Sequence, residues 1–176
     1  MEMLPINKYS RPGLRRISTD EIVVHFTGGP GQNAEQVRSF IEKRTSFGGY
    51  TYLVDDDGVL QLANESEMTP HVGGQMTPLF TKKFGKQRMY NGYSIQNWRT
   101  IGVSFCHPDS TGKPTDSTYN HLIGLLAQLC LTYNKGPDSL YRHYDVTGKD
   151  CPAYYVKNRV MWERLKKDVF EILVLK

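Results

Sequence analysis

The stretch Glu21-Ile22-Val23-Val24-His25-Phe26-Thr27 is an apolar, β-branched run that is followed at once by Gly28-Gly29-Pro30-Gly31. Runs of this kind, bounded by turn residues, are typical of a buried strand. His25 lies near the carboxyl end of the run, and a rigid buried element is a precise support for a functional side chain. The stretch therefore predicts a buried strand of a sheet and one candidate site residue.

A second segment, residues 141–152, reads Tyr-Arg-His-Tyr-Asp-Val-Thr-Gly-Lys-Asp-Cys-Pro. It places His143 and Cys151 eight positions apart, with Lys149 two residues before the cysteine. Its Gly and Pro residues predict that most of the segment is a bent loop rather than a helix or strand. Imidazole and thiolate are both good zinc ligands, and a zinc site needs a third ligand from elsewhere. His25 is the candidate for that third ligand.

Spacing alone leaves other interpretations of the histidines open. A single His on a strand is more often packed or hydrogen-bonded than a metal ligand, by about two to one. His107 precedes a proline and is expected in a turn, and His121 is expected at the boundary of a helix. His71 lies in a long loop, where it can face a substrate.

The composition indicates one soluble domain. The chain has 176 residues, of which 39% are hydrophobic and 23% charged, and this length suffices for a sizeable core. A net charge of +4 favours approach to an anionic polymer, although so small an excess can equally carry no function. Three cysteines exclude a full disulfide framework. Cys106 and Cys130 are expected to be buried apolar groups, whereas the Lys-flanked loop would stabilise a Cys151 thiolate.

No targeting or membrane segment is expected in this sequence. Residues 1–16 lack the continuous apolar core of a secretory signal. No apolar run approaches the roughly 18 residues that cross a bilayer. We therefore expect synthesis in the cytoplasm, so that action outside the membrane would require release by another factor.

Strands and helices alternate along the chain after a polar N-terminal arm over residues 1–20. Asn33 is a good N-cap for a helix that places Val37, Phe40 and Ile41 on one face. Further strands are predicted over 50–54 and 59–62, as a hairpin, and over 100–105. A helix capped by Ser117 or Thr118 follows, and its predicted inward residues are Leu122, Leu125, Leu126, Leu129 and Tyr133. A last helix is predicted over about 156–173, and its predicted inward residues are Val160, Met161, Leu165, Val169 and Ile172. This order predicts an α/β fold, a mixed central β-sheet flanked by helices, in a single domain over residues 21–176.

Two loop segments have alternative interpretations. Asp55-Asp56-Asp57-Gly58 between apolar runs is a strong hairpin signal. A calcium loop would need later carboxylates that are missing, so a turn is favoured by about nine to one. Residues 64–100 show little periodicity and are expected to form a long functional loop. The basic residues 82–88 among aromatics would suit single-stranded nucleic acid, but a substrate-facing loop is favoured and no nucleic-acid partner is expected.

Five motifs occur in a fixed order along the chain. They are Val23-Val24-His25-Phe26-Thr27, the hairpin from Gly49 to Gly58, Pro70-His71-Val72-Gly73-Gly74, Thr100-Ile101-Gly102-Val103, and Arg142-His143-Tyr144-Asp145-Val146 through Lys149-Asp150-Cys151-Pro152. Together they resemble the type-2 N-acetylmuramoyl-L-alanine amidases, a family that includes phage endolysins, autolysins and the animal peptidoglycan-recognition proteins. The similarity covers roughly residues 20–165, and the ordered set is far more specific than any one motif.

The resemblance implies a zinc hydrolase that cleaves the amide between N-acetylmuramic acid and the first L-alanine of the stem peptide in bacterial peptidoglycan. One Zn²⁺ per chain is implied, and its ligands by position are His25, His143 and Cys151. Lys149 would support the tetrahedral intermediate, and Tyr50 matches a Tyr that lies beside the zinc water in one branch. His71 and Asn97 are the implied substrate-binding residues. An enzyme of this kind would act on the cell wall after phage-type release and would be antimicrobial.

One position departs from the family's pattern. Many bacterial and phage members carry a Glu general base in the strand after Ile-Gly, where this chain has Ser104. Serine cannot act as a carboxylate base. Either Tyr50 with Lys149 handles the proton, or the chain is a weakened or non-catalytic peptidoglycan-binding module of the same fold.

Overall fold

A computed structural model of the chain describes residues 2–175. Its strands are β1 (Glu21–Phe26), β2 (Tyr52–Asp55), β3 (Gly58–Gln61), β4 (Met89–Tyr90), β5 (Tyr93–Ser94), β6 (Thr100–Phe105) and β7 (Leu140–Arg142). Five of them form one sheet in the order β3-β2-β6-β1-β7, and β4 pairs with β5. Strand β1 is parallel to β6 and β7, whereas β2 is parallel to β6 and antiparallel to β3. The predicted mixed sheet is confirmed.

Within residues 2–175, six α-helices accompany this sheet. They are α1 (Ala34–Lys43), α2 (Pro78–Phe84), α3 (Asp116–Thr132), α4 (His143–Thr147), α5 (Ala153–Lys157) and α6 (Arg159–Val174). Apolar side chains of α3 and α6 pack on one face of the sheet, and those of α1 and α2 pack on the other. This layered arrangement is the predicted α/β fold.

Side chains alternate between the two faces along β1. Ile22 and Val24 belong to the core under α3 and α6, while Val23 belongs to the core under α2. Because successive side chains on a strand point to opposite faces, His25 lies on the same face as Val23. Between the α1 and α2 cores, this face of the sheet carries polar residues.

The two long helices that were predicted are present, with differences at single positions. The side chain of Asn33 caps α1 in a capping box with Gln36, as predicted, but Phe40 is 63% exposed instead of packed inward. Helix α3 is capped by Thr115, so the predicted caps were wrong. The reason is that the hydroxyls of Ser117 and Thr118 donate to Asp56 of the preceding hairpin.

The segment 64–100 contains more regular structure than the predicted long loop. Thr77 caps the seven-residue helix α2, which has Pro78 at its first position. The hairpin β4–β5 and a 3₁₀ turn over Ile95–Trp98 follow. The basic residue Lys83 lies in α2 and forms an ion pair with Glu21 of β1. Helix α2 is too short to show a clear period in the sequence.

The segment 141–152 is also more regular than predicted. Its first residues belong to β7, and α4 follows as a single helical turn that ends at Gly148 in the left-handed conformation, with φ of +80°. The carboxylate of Asp145 accepts hydrogen bonds from the backbone N–H and the guanidinium of Arg142. This local pair closes the turn, so the prediction of a loop was wrong over most of the segment.

The predicted C-terminal helix is divided at Asn158 into α5 and α6. Leu165 and Val169 are buried as predicted, but Val160 is 79% exposed. Trp162 occupies the inward position near the start of α6 instead. The break at Asn158 rotates the apolar stripe of α6 relative to the pattern read from a single continuous helix.

Residues 2–20 form an irregular segment with one isolated bridge inside it, between Asn7 and Arg11, and one to the rest of the chain, between Arg15 and Glu67. Leu4 is buried, and its backbone N–H donates to the carbonyl of Leu62. Arg11 forms an ion pair with Glu67. Within residues 2–175, no helix combines the length and the apolar character that crossing a membrane requires.

Asp55 joins two elements of the fold, and its loss should destabilise both. Its carboxylate accepts the buried N–H of Ala34 at 2.7 Å and the N–H groups of Asp57 and Gly58 in the hairpin turn. We expect Asp55→Ala to lower the free energy of unfolding by about 1–3 kcal/mol, because a buried donor is left unpaired. Urea unfolding measures this change. The exposed Asp57→Ala should change it by less than about 0.5 kcal/mol, and equal effects of the two variants would contradict the assignment.

Candidate metal centre and active-site cleft

His25 and Ser104 lie side by side on one face of the sheet. Strands β1 and β6 are in parallel register with His25 opposite Ser104, and both residues are buried. The hydroxyl of Ser104 has no hydrogen-bond partner among residues 2–175. The sequence therefore places a ring nitrogen and an unpaired hydroxyl next to each other at the floor of a cleft.

His25, His143 and Cys151 come together as the sequence predicted. Their ligand atoms all lie within 4.8 Å of one another, and all three residues are buried. Nδ1 of His25 is 3.8 Å from Sγ of Cys151, close to the roughly 3.6 Å that tetrahedral zinc–nitrogen and zinc–sulfur bonds imply. The three elements that supply these residues are β1, the start of α4 and the turn that precedes α5.

Two observations show that this set fits a metal ion. Neither ring nitrogen of the buried His143 has a hydrogen-bond partner among the described residues, an arrangement that normally calls for an ion or water. The backbone N–H of Tyr144 donates to the carbonyl of Cys151 at 2.9 Å. This bond ties the His143 segment to the Cys151 segment, so the two side chains keep a fixed relation.

Burial keeps both histidines neutral. It lowers the pKa of His25 well below 6.5, and the neighbouring His143 and His71 lower it further. Burial also lowers the pKa of His143 to about 4, with Lys149 acting in the same direction and the backbone of Gly73 opposing it. Neutral imidazole is the form that binds a metal.

The thiol of Cys151 behaves differently from the expectation that its loop would stabilise a thiolate. Burial raises the pKa of Cys151 to about 11, while the positive charge of Lys149 opposes the shift. The predicted effect of Lys149 is therefore present but smaller than the effect of burial. A divalent cation has to displace the thiol proton, so binding at this site releases a proton.

Tyr50 and Lys149 lie at the rim of the same site. The ring of Tyr50 is 5.2 Å from that of His25, centroid to centroid. Burial raises the pKa of Tyr50 to about 12, with Cys151 adding to the shift and the hydroxyl of Ser104 opposing it. Tyr50 is thus a hydrogen-bond donor at neutral pH. The side chain of Lys149 is exposed and lines the same cleft.

His71 and Asn97, predicted to bind substrate, are mainly engaged within the protein. His71 is buried and its two ring nitrogens lie 3.0 Å from Nε2 of His25 and 3.0 Å from Oγ1 of Thr100. Asn97 accepts the N–H of Val72 at 2.7 Å. Both residues nevertheless line the cleft wall.

The cleft consists of two adjoining cavities of about 620 and 350 Å³ that share Arg44, Tyr50, His71, His143 and Lys149. The larger cavity is also lined by Phe40, and the smaller one by Phe47 and Met89. The last three side chains are 58–63% exposed. The sequence did not identify these residues as part of the cleft. In the structure they are recognised because large apolar side chains are exposed beside a polar site.

The family of the chain is shown by its similarity to known proteins. A family model described as N-acetylmuramoyl-L-alanine amidase matches residues 15–154. The chain belongs to this family. Its curated relatives include a probable N-acetylmuramoyl-L-alanine amidase of Bacillus licheniformis, 29% identical over 96% of this chain and 46% of the relative. The amidase BlyA of Bacillus subtilis (strain 168) is 27% identical over 88% of this chain and 42% of the relative. The chain thus spans less than half the length of these two relatives.

Solved structures of the family share the fold. The catalytic domain of XlyA superposes with a TM-score of 0.71 at 18% identity, over 95% of each chain. A ligand complex of the Staphylococcus aureus hydrolase AmiA gives a TM-score of 0.68 at 17% identity, over 96% of this chain and 79% of the other. These likenesses confirm the α/β architecture of this N-acetylmuramoyl-L-alanine amidase family member.

The metal site makes a specific prediction about the cysteines. We expect the purified chain to bind one zinc ion, and Cys151→Ala to weaken that binding at least about 100-fold, because a thiolate ligand is lost. Competition with a chromophoric chelator measures the affinity. Cys106→Ala is the matched control, since Cys106 is equally buried but outside the ligand set. Equal losses in the two variants would contradict the assignment.

Proposed function

We propose that the chain is a zinc-dependent hydrolase of peptidoglycan that cleaves the amide between the lactyl group of N-acetylmuramic acid and the first L-alanine of the stem peptide. The observation that carries the proposal is the buried set of His25, His143 and Cys151 at the floor of an open cleft, in a chain of the amidase family. Water adds across the C–N bond, which releases a lactyl carboxylate and a free L-alanine amino group.

One Zn²⁺ per chain would be held by the two imidazoles and the thiolate. When bound, zinc acts as a Lewis acid that polarises a carbonyl and lowers the pKa of a water molecule to about 7. His25 and His143 are neutral and ready to coordinate, while Cys151 gives up its proton. The remaining steps require cleft residues that stabilise negative charge on the carbonyl oxygen and transfer protons.

Lys149 stabilises the negative charge that develops on the carbonyl oxygen. Its side chain lines the cleft together with the ligand set, and a hydrogen-bond donor aimed at a developing oxyanion commonly contributes about 10²–10³-fold in rate. The charge of Lys149 lowers the pKa of both His143 and Cys151.

Tyr50 takes the place of the missing carboxylate in this proposal. Its ring lies beside that of His25, and its raised pKa keeps the phenol protonated. Tyr50 would therefore donate a hydrogen bond to the tetrahedral oxygen and pass its proton to the leaving amine, while the proton that the attacking water loses returns to the phenol oxygen. Ser104 leaves room beside His25 and supplies a hydroxyl but no base.

The cleft walls suit a peptidoglycan fragment. Phe40, Phe47 and Met89 offer exposed apolar surface for sugar rings and alanine methyl groups, while Arg44 offers a cation for stem-peptide carboxylates. The proposed partner is bacterial peptidoglycan, reached after release of a chain that is made in the cytoplasm. Endolysin- or autolysin-type wall degradation is the biological role that we propose.

A second candidate function is peptidoglycan binding without cleavage. Ser104 favours it, because the hydroxyl is buried, unpaired and unable to serve as a general base. The complete ligand set favours the enzyme instead. Muropeptide binding that persists in the presence of a chelator, with no release of stem peptide, would support the binding function.

Two variants test how the proton is handled. We expect Tyr50→Phe to lower kcat/KM for release of L-alanine amino termini by about 10²-fold, the lower range for a lost acid–base group, with zinc affinity unchanged. Ser104→Glu should bring no gain, since burial at this position raises the pKa of a carboxyl group. Counting new L-alanine amino termini from purified peptidoglycan measures both. A clear gain in Ser104→Glu, with full activity in Tyr50→Phe, would show that Ser104 is a lost base.

A further inference from the structure

A continuous chain of hydrogen bonds runs from the backbone to the metal-ligand set. Oγ1 of Thr100 lies 2.7 Å from the carbonyl oxygen of Gln96 and 3.0 Å from Nε2 of His71. Nδ1 of His71 lies 3.0 Å from Nε2 of His25. The other nitrogen of His25, Nδ1, faces Sγ of Cys151 at 3.8 Å. Thr100, His71 and His25 are all buried.

The carbonyl at one end fixes the direction of every bond in this chain. A carbonyl oxygen only accepts, so the single hydroxyl proton of Thr100 goes to Gln96. Oγ1 of Thr100 must then accept the Nε2–H of His71. A buried neutral imidazole carries one proton, which leaves Nδ1 of His71 as the acceptor for the Nε2–H of His25. The lone pair of His25 is thereby left on Nδ1, the nitrogen that faces the cysteine.

Three further contacts hold His71 and the residues that follow it in place. Gly102 lies directly behind the imidazole, and a Cβ at Gly102 would come within 2.5 Å of Cγ of His71. On the other side, Asn97 holds the N–H of Val72 and Gln96 holds the carbonyl of Gly74. The segment that follows His71 is therefore held against the 3₁₀ turn that precedes β6.

We infer that His71 is a positioning residue, which, together with Thr100, sets the tautomer and ring orientation of His25 so that Nδ1 is presented to the metal. This role differs from the substrate contact that the sequence predicted for His71. Metal-ligating histidines commonly donate their second N–H to an oxygen acceptor. Here the acceptor is a second imidazole, and its own tautomer is set by a hydroxyl and a carbonyl. The inference rests on the zinc site proposed above.

Zinc affinity tests the inference without any need for activity. We expect His71→Ala to weaken zinc binding by about 10–100-fold, the usual effect of losing the partner of a ligand. Thr100→Val keeps the side-chain shape and should weaken zinc binding by about threefold to tenfold, since only one of the two hydrogen bonds that it removes, the one to His71, leads to His25. The matched controls are His121→Ala and Thr118→Val, whose side chains hydrogen-bond to Asp55 and Asp56 instead. Both controls should bind zinc like the parent chain.

A spectroscopic measurement separates positioning from general structural damage. Long-range ¹H–¹⁵N correlation spectra report which ring nitrogen of His25 carries the proton. We expect the Nε2–H form in the parent chain and a mixture of both forms in Thr100→Val. An Nδ1–H form in the parent, or parental zinc affinity in both variants, would overturn the inference. If the parent chain itself bound no zinc, the proposed function would fail instead.

Discussion

The alternation of side chains along β1 is the constraint on which the rest of the structure depends. Ile22 and Val24 pack in the core under α3 and α6, so Val23 and His25 must point to the opposite face of the sheet. Parallel pairing with β6 then sets Ser104 beside His25 and Gly102 beneath His71. A shift of one residue in the register of either strand would place His25 among the apolar groups of the opposite face and remove it from the site.

The same constraint explains how a polar site persists in a buried position. The cores under α1 and α2 flank it, and an open cleft lies between them. Burial lowers the pKa of the two imidazoles and raises that of the thiol, so it keeps all three groups in their neutral forms. The histidines would bind a metal in this form, whereas Cys151 would first have to lose its proton. Zinc affinity should therefore be linked to proton release.

The sequence allowed the sheet, the hairpin and the clustering of His25, His143 and Cys151 to be predicted, because each has a strong local signal or lies within an ordered set of motifs. Short elements were missed, among them α2 and α4, since one or two helical turns show no clear period. The caps of α3 were misplaced because Asp56, distant in sequence, accepts the hydroxyls of Ser117 and Thr118. The hydrogen bond between His71 and His25 could not be predicted either, because only the fold brings these two residues together. The cleft is also lined by Arg44, Phe47 and Met89, which have no local sequence pattern that distinguishes them from other surface residues.

The central claim is that a metal held by His25, His143 and Cys151 makes this cleft an amidase. The most direct measurement is the rate at which the purified chain releases L-alanine amino termini from peptidoglycan before chelation, after chelation and after addition of one equivalent of Zn²⁺. The account predicts loss of activity on chelation and its recovery at a stoichiometry of one. Activity that survives complete removal of metal, or a fully zinc-loaded chain that releases no stem peptide, would contradict it.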